Sequence, residues 1–458
     1  MPINQDSKWT KIFFVLLGGF VLCFQAFYNK YPLMYFDTGS YMLSGFSGKI
    51  PMDRPLTYGL FLRHTSLAET TWFVILAQGI IVSLLIYYFI RYFIRSKHFL
   101  LVYSLTLLFL LFFSGLSVNV SQLIPDVFAL VFILSLALLL IVDTLAKRDV
   151  YVLLFLAWLG MIMHNAHPFI AIVMLILISL FTFWKRAYQW SKKRLIICWA
   201  VTLISVFSIP TIHYLVGKEF VASKGSHVFI MAHLVEIGIL DQYLKDNCDR
   251  KTHSLCAYQN EIPTMFIWNG SSPLRKIWKG EDIWLKSKAE FDAIIYDIMT
   301  TPKYWKTILY KSIFYTAQQF VHFDAGTVPA LGDKTAAMAF AKKYFPHEYR
   351  ELQESYQIKN NQVLNYDLIN TWQKLIFVFS LCLFTAVWLM PSLRQALGPQ
   401  DKQLIGFVLI ALLCNAFICS NLSTVLPRYQ SRIFSLYPLV DLICIARFIQ
   451  LRWPYKRG

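Results

Sequence analysis

Charged residues are scarce in this 458-residue chain: 15% of its residues are Asp, Glu, Lys or Arg, whereas 57% are hydrophobic and 17% are aromatic. Soluble domains carry about 25% charged residues, so this shortage and the mean hydropathy of +0.50 exclude an ordinary water-soluble fold. The sequence also lacks internal repeats and low-complexity tracts, so nothing in it points to a repeat architecture. The composition instead predicts an integral membrane protein.

The hydrophobic residues are grouped into windows long enough to cross a bilayer. A helix needs about 20 apolar residues to span the hydrocarbon core, and we identify ten such windows. They cover residues 11–28, 71–90, 99–115, 126–142, 149–163, 168–184, 194–214, 373–390, 403–420 and 433–449. The sequence therefore predicts an all-α membrane protein with about ten transmembrane helices. The first window lacks a small-residue cleavage site, so we expect it to be retained rather than removed as a signal peptide.

Lysine and arginine residues in alternate connections predict how the chain is oriented. They are Lys8 and Lys11, then Arg91, Arg95 and Lys97, then Lys147 and Arg148, then Lys185, Arg186, Lys192, Lys193 and Arg194, then Arg394 and Lys402, and finally Arg447, Arg452, Lys456 and Arg457. Basic loops are retained in the cytoplasm, so both termini are expected there, in a bacterial inner membrane or another cell membrane. Since the net charge of +17 belongs mostly to these loops, nucleic-acid binding is not expected.

The windows divide the chain into three parts. Residues 1–214 are expected to form a transmembrane catalytic module, and residues 371–458 to form three further transmembrane helices and a basic tail. Residues 215–370 are expected to form a mainly helical extracytoplasmic domain, with helix signals at 241–248, 281–300, 302–320 and 335–344. This domain either helps to select an acceptor or acts as a structural cap.

Two of the eight cysteines, Cys248 and Cys256, lie in the long outer segment, and the other six lie inside hydrophobic windows. A thiol within a window behaves as a small apolar group. Because Cys248 and Cys256 are alone in an extracytoplasmic compartment, we expect them to form a disulfide. Two free thiols are the alternative.

The clusters of polar residues that are suited to binding or catalysis lie in connections that this topology places outside the cell. They are Asp37, Tyr41, Arg54 and Tyr58 in the first outer loop (29–70), Asp126 at the start of the fourth window, His164 and His167 between the fifth and sixth windows, and Arg428 and Tyr429 before the last window. No comparable carboxylate or imidazole cluster is expected to face the cytoplasm. The outer face is therefore the predicted location of any active site.

Asp37 is the strongest candidate for a general base. It lies between Tyr35, Phe36 and Tyr41, and an apolar, partly closed setting raises the basicity of a carboxylate. The alternative is a solvated carboxylate at the membrane interface. Asp126 follows Pro125 at a helix start, where it either binds a substrate or simply interacts favourably with the helix dipole.

The histidines and arginines suit the recognition of a phosphate. His164 and His167 are three residues apart and are expected to donate hydrogen bonds to an anionic lipid phosphate; a weak metal site and simple interfacial capping are the alternatives. Arg428 and Arg432 in the last outer loop, and Arg54 in the first, offer planar forks of donors that match phosphate oxygens. Snorkelling of long side chains towards the interface is the alternative for all three.

These residues resemble the GT-C superfamily of integral-membrane glycosyltransferases, of the protein mannosyltransferase and aminoarabinose transferase kind. The resemblance lies in Asp37 past the first window, the run from Asp37 to Tyr41, the segment Arg54-Pro55-Leu56-Thr57-Tyr58, Pro125-Asp126, and Arg428-Tyr429 near the last window. The sequence departs from the family's pattern at two places. Thr38 follows Asp37 where several members have an Asp-Glu pair, and Pro55 to Gly59 lacks the usual proline pattern.

The resemblance implies a polyprenyl-phosphate sugar donor and a glycan, lipid or protein acceptor. Asp37 would match the catalytic base of the family and Asp126 its second acidic residue. No cofactor is required by this chemistry, although a divalent metal is left open. Two other functions remain open: a polysaccharide polymerase or ligase that uses the outer Arg and His residues, and a non-enzymatic flippase for lipid-linked oligosaccharides.

Overall fold

The computed structural model describes residues 8–452 except 95, 97, 185–189, 281, 327, 330 and 360–363. The described residues form helices and loops, and the β pairing among them is an isolated bridge between Leu33 and Gln122. They confirm the predicted all-α class. The basic residues Arg95, Lys97, Lys185, Arg186, Lys456 and Arg457, which contribute to the predicted orientation, lie outside the described residues.

The amino-terminal part is a bundle of long apolar helices with short helices in its outer loops. Its helices are α1 (Lys8–Leu22), α2 (Phe24–Asn29), α3 (Thr38–Ser47), α4 (Thr57–Thr65), α5 (Trp72–Phe89), α6 (Phe99–Phe113), α7 (Leu116–Ser121), α8 (Val127–Ile141), α9 (Lys147–Ile162), α10 (Ala166–Trp184) and α11 (Lys192–Gly217). A π-helical turn, Ile90–Ile94, continues α5. Every residue of α8 is buried, as expected of a helix that is apolar on all sides. Helix α8 is therefore the centre of the bundle.

The remaining helices form the long middle segment and the carboxy-terminal part of the bundle. They are α12 (Ser226–Glu236), α13 (Ile239–Asn247), α14 (Pro273–Ile277), α15 (Ile283–Thr300), α16 (Pro302–Phe320), α17 (Ala336–Tyr344), α18 (Tyr349–Glu354), α19 (Tyr356–Lys359), α20 (Asp367–Leu389), α21 (Pro391–Ala396), α22 (Pro399–Leu422), α23 (Pro427–Ser431) and α24 (Leu436–Arg452). A 3₁₀ turn covers Ser254–Tyr258. The four helix signals in the middle segment are confirmed at α13, α15, α16 and α17.

Five helices among the described residues are long and apolar enough to cross a membrane, rather than the ten predicted. They are Trp72–Ile94, Ala166–Phe183, Lys192–Gly217, Asp367–Leu389 and Pro399–Leu422, and Phe99–Phe113 and Val127–Ile141 are shorter apolar helices. The other windows coincide with shorter helices. The first window is divided at Cys23 into α1 and α2, and α9 and α24 have 16 and 17 residues. The number of spans is thus not established as ten.

The segment 215–370 does not form one domain around one core. Residues of α12, α13 and α15 build a separate apolar cluster, which includes Leu240, Phe291 and Ile294. A disulfide joins Cys248 to Cys256 beside this cluster. In contrast, α17 belongs to the core of the membrane bundle. The predicted domain therefore combines two structural units.

Helix α17 and the residues after it pack against the first outer loop and form hydrogen bonds with residues at both of its ends. The rings of Tyr344 and Phe46 stack with centroids 4.5 Å apart. The buried carboxylate of Glu348 accepts hydrogen bonds from the hydroxyls of Tyr31 at 2.9 Å and Thr71 at 2.8 Å. These contacts hold α3, and with it the residue that precedes α3, Asp37, at one end of the bundle.

Candidate functional site

A short backbone pairing brings the two predicted acidic residues into one region. The Leu33 N–H donates to the Ser121 carbonyl at 2.8 Å, and the Leu123 N–H donates to the Leu33 carbonyl at 2.9 Å. The hydroxyl of Thr38 also donates to the Leu123 carbonyl at 3.1 Å. The loop before Asp37 is thereby joined to the loop before Asp126. Both residues lie at helix starts, Asp37 before α3 and Asp126 before α8.

Two glycines allow α3 and α4 to pack closely enough to bring Arg54 beside Asp37. A Cβ atom on Gly45 would lie 2.1 Å from the Gly59 carbonyl oxygen, and one on Gly59 would lie 2.3 Å from Oγ of Ser44. Neither position therefore accepts a side chain without separating the helices. The loop between these helices is also fixed to the bundle, because the Leu56 N–H donates to Nε2 of His213 at 3.0 Å.

Asp37 is bound by two arginines from opposite ends of the sequence. Its Oδ1 accepts a hydrogen bond from Nη2 of Arg54 at 3.0 Å, and its Oδ2 accepts one from Nη2 of Arg428 at 3.2 Å. Asp53 also pairs with the Arg54 guanidinium. The Asp37 side chain keeps 22% of its surface exposed. Asp37 is thus a partly accessible carboxylate within an ion-pair network.

Asp126 lies deeper in the same network and is paired chiefly with Arg432. Its Oδ1 accepts from Nη1 of Arg432 at 3.3 Å, and its Oδ2 lies 3.8 Å from Nε of Arg428. Arg432 is fully buried and also donates to Oδ1 of Asn415 at 2.9 Å. Arg428 lies between the two carboxylates and connects them. Three aspartates and three arginines, Asp37, Asp53, Asp126, Arg54, Arg428 and Arg432, therefore form one charge cluster.

Aromatic rings support the guanidinium groups of this cluster. The Arg54 guanidinium carbon lies 5.0 Å from the centre of the Tyr41 ring, and that of Arg428 lies 4.4 Å from the Tyr35 ring. Arg428 and Arg432 both lie over the ring of Tyr429, at 5.3 and 5.4 Å. A positive charge over an aromatic face is stabilised by the ring quadrupole, so these rings hold the arginines in defined positions.

Several buried N–H groups of the cluster make no hydrogen bond among the described residues, although Nε of Arg428 lies within ion-pair distance of Asp126. Nε and Nη1 of Arg428 and Nε of Arg432 are buried and make no hydrogen bond within the described part of the chain. Buried donors are normally satisfied, and an unmade hydrogen bond of a charged group costs about 1–3 kcal/mol or more. Unsatisfied guanidinium donors beside a partly accessible carboxylate are suited to an anion with several oxygens, such as a phosphate.

The charge balance determines the protonation state of Asp37. Burial by itself raises the pKa of the Asp37 carboxyl, but the positive charges and hydrogen bonds of Arg54 and Arg428 outweigh burial, so that pKa lies below its ordinary value. The expectation of an apolar setting that raises the basicity of Asp37 is therefore wrong. The aromatic neighbours are present, but two arginines that are distant in sequence dominate the electrostatics. Asp37 is ionised at neutral pH.

The two histidines lie next to the cluster and have hydrogen-bonding contacts of their own. His164 has its pKa well below the ordinary value, because burial and the positive charges of Arg432, Arg428 and Arg54 disfavour the imidazolium. Nδ1 of His164 accepts the Ala166 N–H at 3.1 Å, whereas Nδ1 of His167 lies 2.8 Å from the Gly160 carbonyl, to which it donates. Within the described residues, no group of three or more His, Cys, Asp or Glu side chains is placed to hold a metal ion.

Two of the predicted substrate-binding tyrosines have structural contacts. Tyr58 is fully buried and donates its hydroxyl to Oε1 of Gln78 at 2.8 Å, so it supports α4 rather than reaching a substrate. The Tyr41 ring lies edge-on to Tyr58 at 4.8 Å and supports Arg54 from within the core. His167 is also fully buried. The predicted roles of Tyr58 and His167 in direct contact with a substrate are therefore not supported.

Sequence patterns did not point to Asp53 as a member of the cluster or to Tyr35 as the ring that supports Arg428. Arg432 follows Arg428 by four residues, and this spacing would place both side chains on one face of a helical turn. Asp53 directly precedes Arg54. The pairing of Arg432 with Asp126 has no local signal, because 306 residues separate them.

Comparisons with protein-family models, with curated proteins and with solved structures found no match to this chain. The candidate site is therefore defined by its own geometry. It consists of an ionised Asp37, an arginine with free donors at its side, and a second carboxylate behind them. This arrangement can accept a proton from a hydroxyl group and bind an anion at adjacent positions.

Proposed function

We propose that this protein is a membrane glycosyltransferase, which moves a sugar from a polyprenyl-phosphate donor to a hydroxyl group of a glycan, lipid or protein acceptor. The observation that carries the proposal is the position of Arg428. It binds the Asp37 carboxylate through Nη2, while its Nε and Nη1 make no hydrogen bond. A general base and a phosphate-binding group are thereby adjacent, which is what sugar transfer from a lipid phosphate requires.

The proposed reaction is a single displacement at the anomeric carbon. Asp37 accepts the proton of the acceptor hydroxyl as its oxygen forms a bond to that carbon. The bond between the anomeric carbon and the phosphate oxygen breaks, and its electron pair remains on the lipid phosphate. Donors aimed at the oxygen where negative charge develops stabilise the transition state.

The paired state of Asp37 is consistent with its role as a base. When Asp37 takes up a proton, Arg428 and Arg54 lose their negative partner at the moment when the phosphate gains charge. Interactions that strengthen only in the transition state are those that raise the rate of the chemical step. The ion pairs of the resting protein thus keep the arginines in place until the phosphate replaces the carboxylate as their partner.

The proposed site faces the outer side of a cell membrane, where lipid-linked sugars are presented at the bilayer surface. This orientation follows from the basic connections, which retain the opposite ends of the spans in the cytoplasm. Helices α5, α10, α11, α20 and α22 are each apolar and long enough to anchor the protein in the bilayer.

Arg428→Met is expected to raise the KM for the lipid-linked donor and to lower kcat by a factor of about 10²–10³, because one preorganised donor to the leaving phosphate is lost. The measurement is transfer from radiolabelled polyprenyl-phosphate sugars by purified protein in lipid nanodiscs. Arg350→Met is the matched control, since Arg350 is 87% exposed and pairs only with Glu354 one turn away. Equal kinetics in the two variants would contradict phosphate binding at Arg428.

The acid limb of kcat/KM is expected below about pH 4, the ordinary range of an aspartate. The profile of kcat/KM reports ionisations of the free enzyme, and the arginines lower the pKa of Asp37. Arg428→Met should move this limb to higher pH, because a positive charge that favours the carboxylate is removed. A limb near neutral pH in the unsubstituted protein, or no movement in the variant, would show that Asp37 is not the base.

A further inference from the structure

The exposed side of α16 carries five large apolar or aromatic side chains. Trp305, Leu309 and Ile313 follow one another at intervals of four residues, and Tyr310 and Phe314 lie beside them. These five side chains are between 53% and 65% exposed. A contiguous apolar face of this kind marks an interaction surface rather than a helix face in water.

The carboxy-terminal end of α16 is fixed against a membrane-spanning helix and the loop that follows that helix. Nδ2 of Asn421, at the end of α22, donates to Oγ1 of Thr316 at 3.2 Å. The side chain of Gln319 exchanges two hydrogen bonds, each of 2.9 Å, with the backbone of Leu426. Helices α16 and α22 form one of the most extensive helix pairs in the described structure. Helix α16 therefore lies directly beside the bilayer-spanning part of the chain.

The neighbouring surface of α22 is itself exposed and apolar. Leu413 and Phe417, one turn apart on α22, are 48% and 41% exposed. Because α22 is one of the five helices that can span a membrane, such residues are expected to contact lipid. The apolar side chains of α16 thus lie next to a surface that is expected to contact lipid.

The composition of α16 fits the boundary between lipid and water. Trp305 and Tyr310 belong to the residue types that are enriched at membrane interfaces. Lys306 and Lys311 add positive charge along the same helix, whereas Lys303 pairs with Asp246 at 2.7 Å. Lysine side chains can extend from an apolar surface to anionic headgroups. A protein partner would explain the apolar face, but not the combination of interfacial aromatics, lysines and an adjacent span.

We propose that α16 is an interfacial membrane helix, whose apolar face is inserted into the lipid bilayer beside α22 and whose lysines contact anionic headgroups. This role is independent of the proposed sugar transfer. It means that the segment between α11 and α20 does not simply rest in water above the bundle. Instead, the apolar cluster of α12, α13 and α15 is anchored to the membrane through α16.

The test uses the full-length protein in nanodiscs of phosphatidylethanolamine and phosphatidylglycerol, with nitroxide labels on introduced cysteines. Cys382→Ser provides the background, since Cys382 is the exposed free thiol of the chain. Labels at Ile313→Cys and Leu309→Cys should collide with oxygen several-fold more often than with a water-soluble nickel chelate. A label at Gln353→Cys, which is exposed on α18, is the matched control and should show the reverse ratio.

The two other outcomes would both overturn the proposal. Nickel accessibility at Ile313 equal to that at Gln353 would place α16 in water. Low accessibility to both reagents would mean that protein, either a second copy of the chain or another partner, covers this face. Since the labels replace exposed side chains, loss of folding is not expected to obscure the result.

Discussion

Asp37→Asn is expected to lower the rate of sugar transfer by a factor of about 10²–10⁴, the usual contribution of a general base. Asparagine has nearly the same shape, and its single carbonyl oxygen can still accept a hydrogen bond from one of the two arginines, Arg54 or Arg428, but its amide cannot take up the acceptor proton. The effect should therefore fall on kcat, with a smaller change in the KM of the donor. The measurement is a kinetic comparison of purified protein across a panel of polyprenyl-phosphate sugars.

Asp324→Asn is the matched control for this substitution. Asp324 is a partly exposed aspartate that pairs with Lys374 at 3.6 Å, and it lies outside the charge cluster. Both variants should reach the same level in the membrane. If Asp37→Asn transfers sugar as fast as Asp324→Asn, the base is not Asp37, and a polymerase or ligase mechanism that relies on Arg428 and His164 becomes the better explanation.

Arg432→Met is expected to lower the free energy of unfolding by about 3–5 kcal/mol, because loss of one member of a buried ion pair leaves the other charge uncompensated. Arg432 is fully buried, and its removal deprives both Asp126 and Asn415 of a hydrogen-bond donor. The measurement is equilibrium unfolding in mixed micelles, by titration with a denaturing detergent.

The double variant Arg432→Met, Asp126→Asn tests the physical cause of this loss. Removing the negative charge as well should restore part of the stability, since no buried carboxylate is then left without its partner. Two losses that simply add would contradict a coupled pair. Arg350→Met is again the control and should change stability little, because exposed ion pairs contribute little.

The two arginines before the last helix thus have different expected roles. Arg428 has unsatisfied donors and contacts the partly exposed Asp37, so its substitution should affect catalysis first. Arg432 is enclosed and bonded to Asp126, Asn415 and Cys419, so its substitution should affect folding first. The sequence places both in one short polar segment and cannot distinguish them, because their difference is one of burial.

The positions of individual helices could be predicted from the sequence. Pro302–Phe320 is a helix with the predicted bounds, because proline is favoured in the first turn and the apolar residues recur with helical spacing. The long apolar helices were also found where the hydrophobic windows predict them. Their number as membrane spans is not confirmed as ten, since the break at Cys23 and the short lengths of α9 and α24 are not visible in the composition of the windows.

The sequence alone determined that this is a helical membrane protein whose carboxylates and arginines lie in loops at the ends of apolar helices. Only the tertiary structure decided which charges meet. Asp37 and Arg428 are 391 residues apart, and their contact depends on how α3, α8 and α23 pack at one end of the bundle. The same packing reversed the expected shift in the pKa of Asp37, because an electrostatic environment is set by neighbours in space and not by neighbours in the chain.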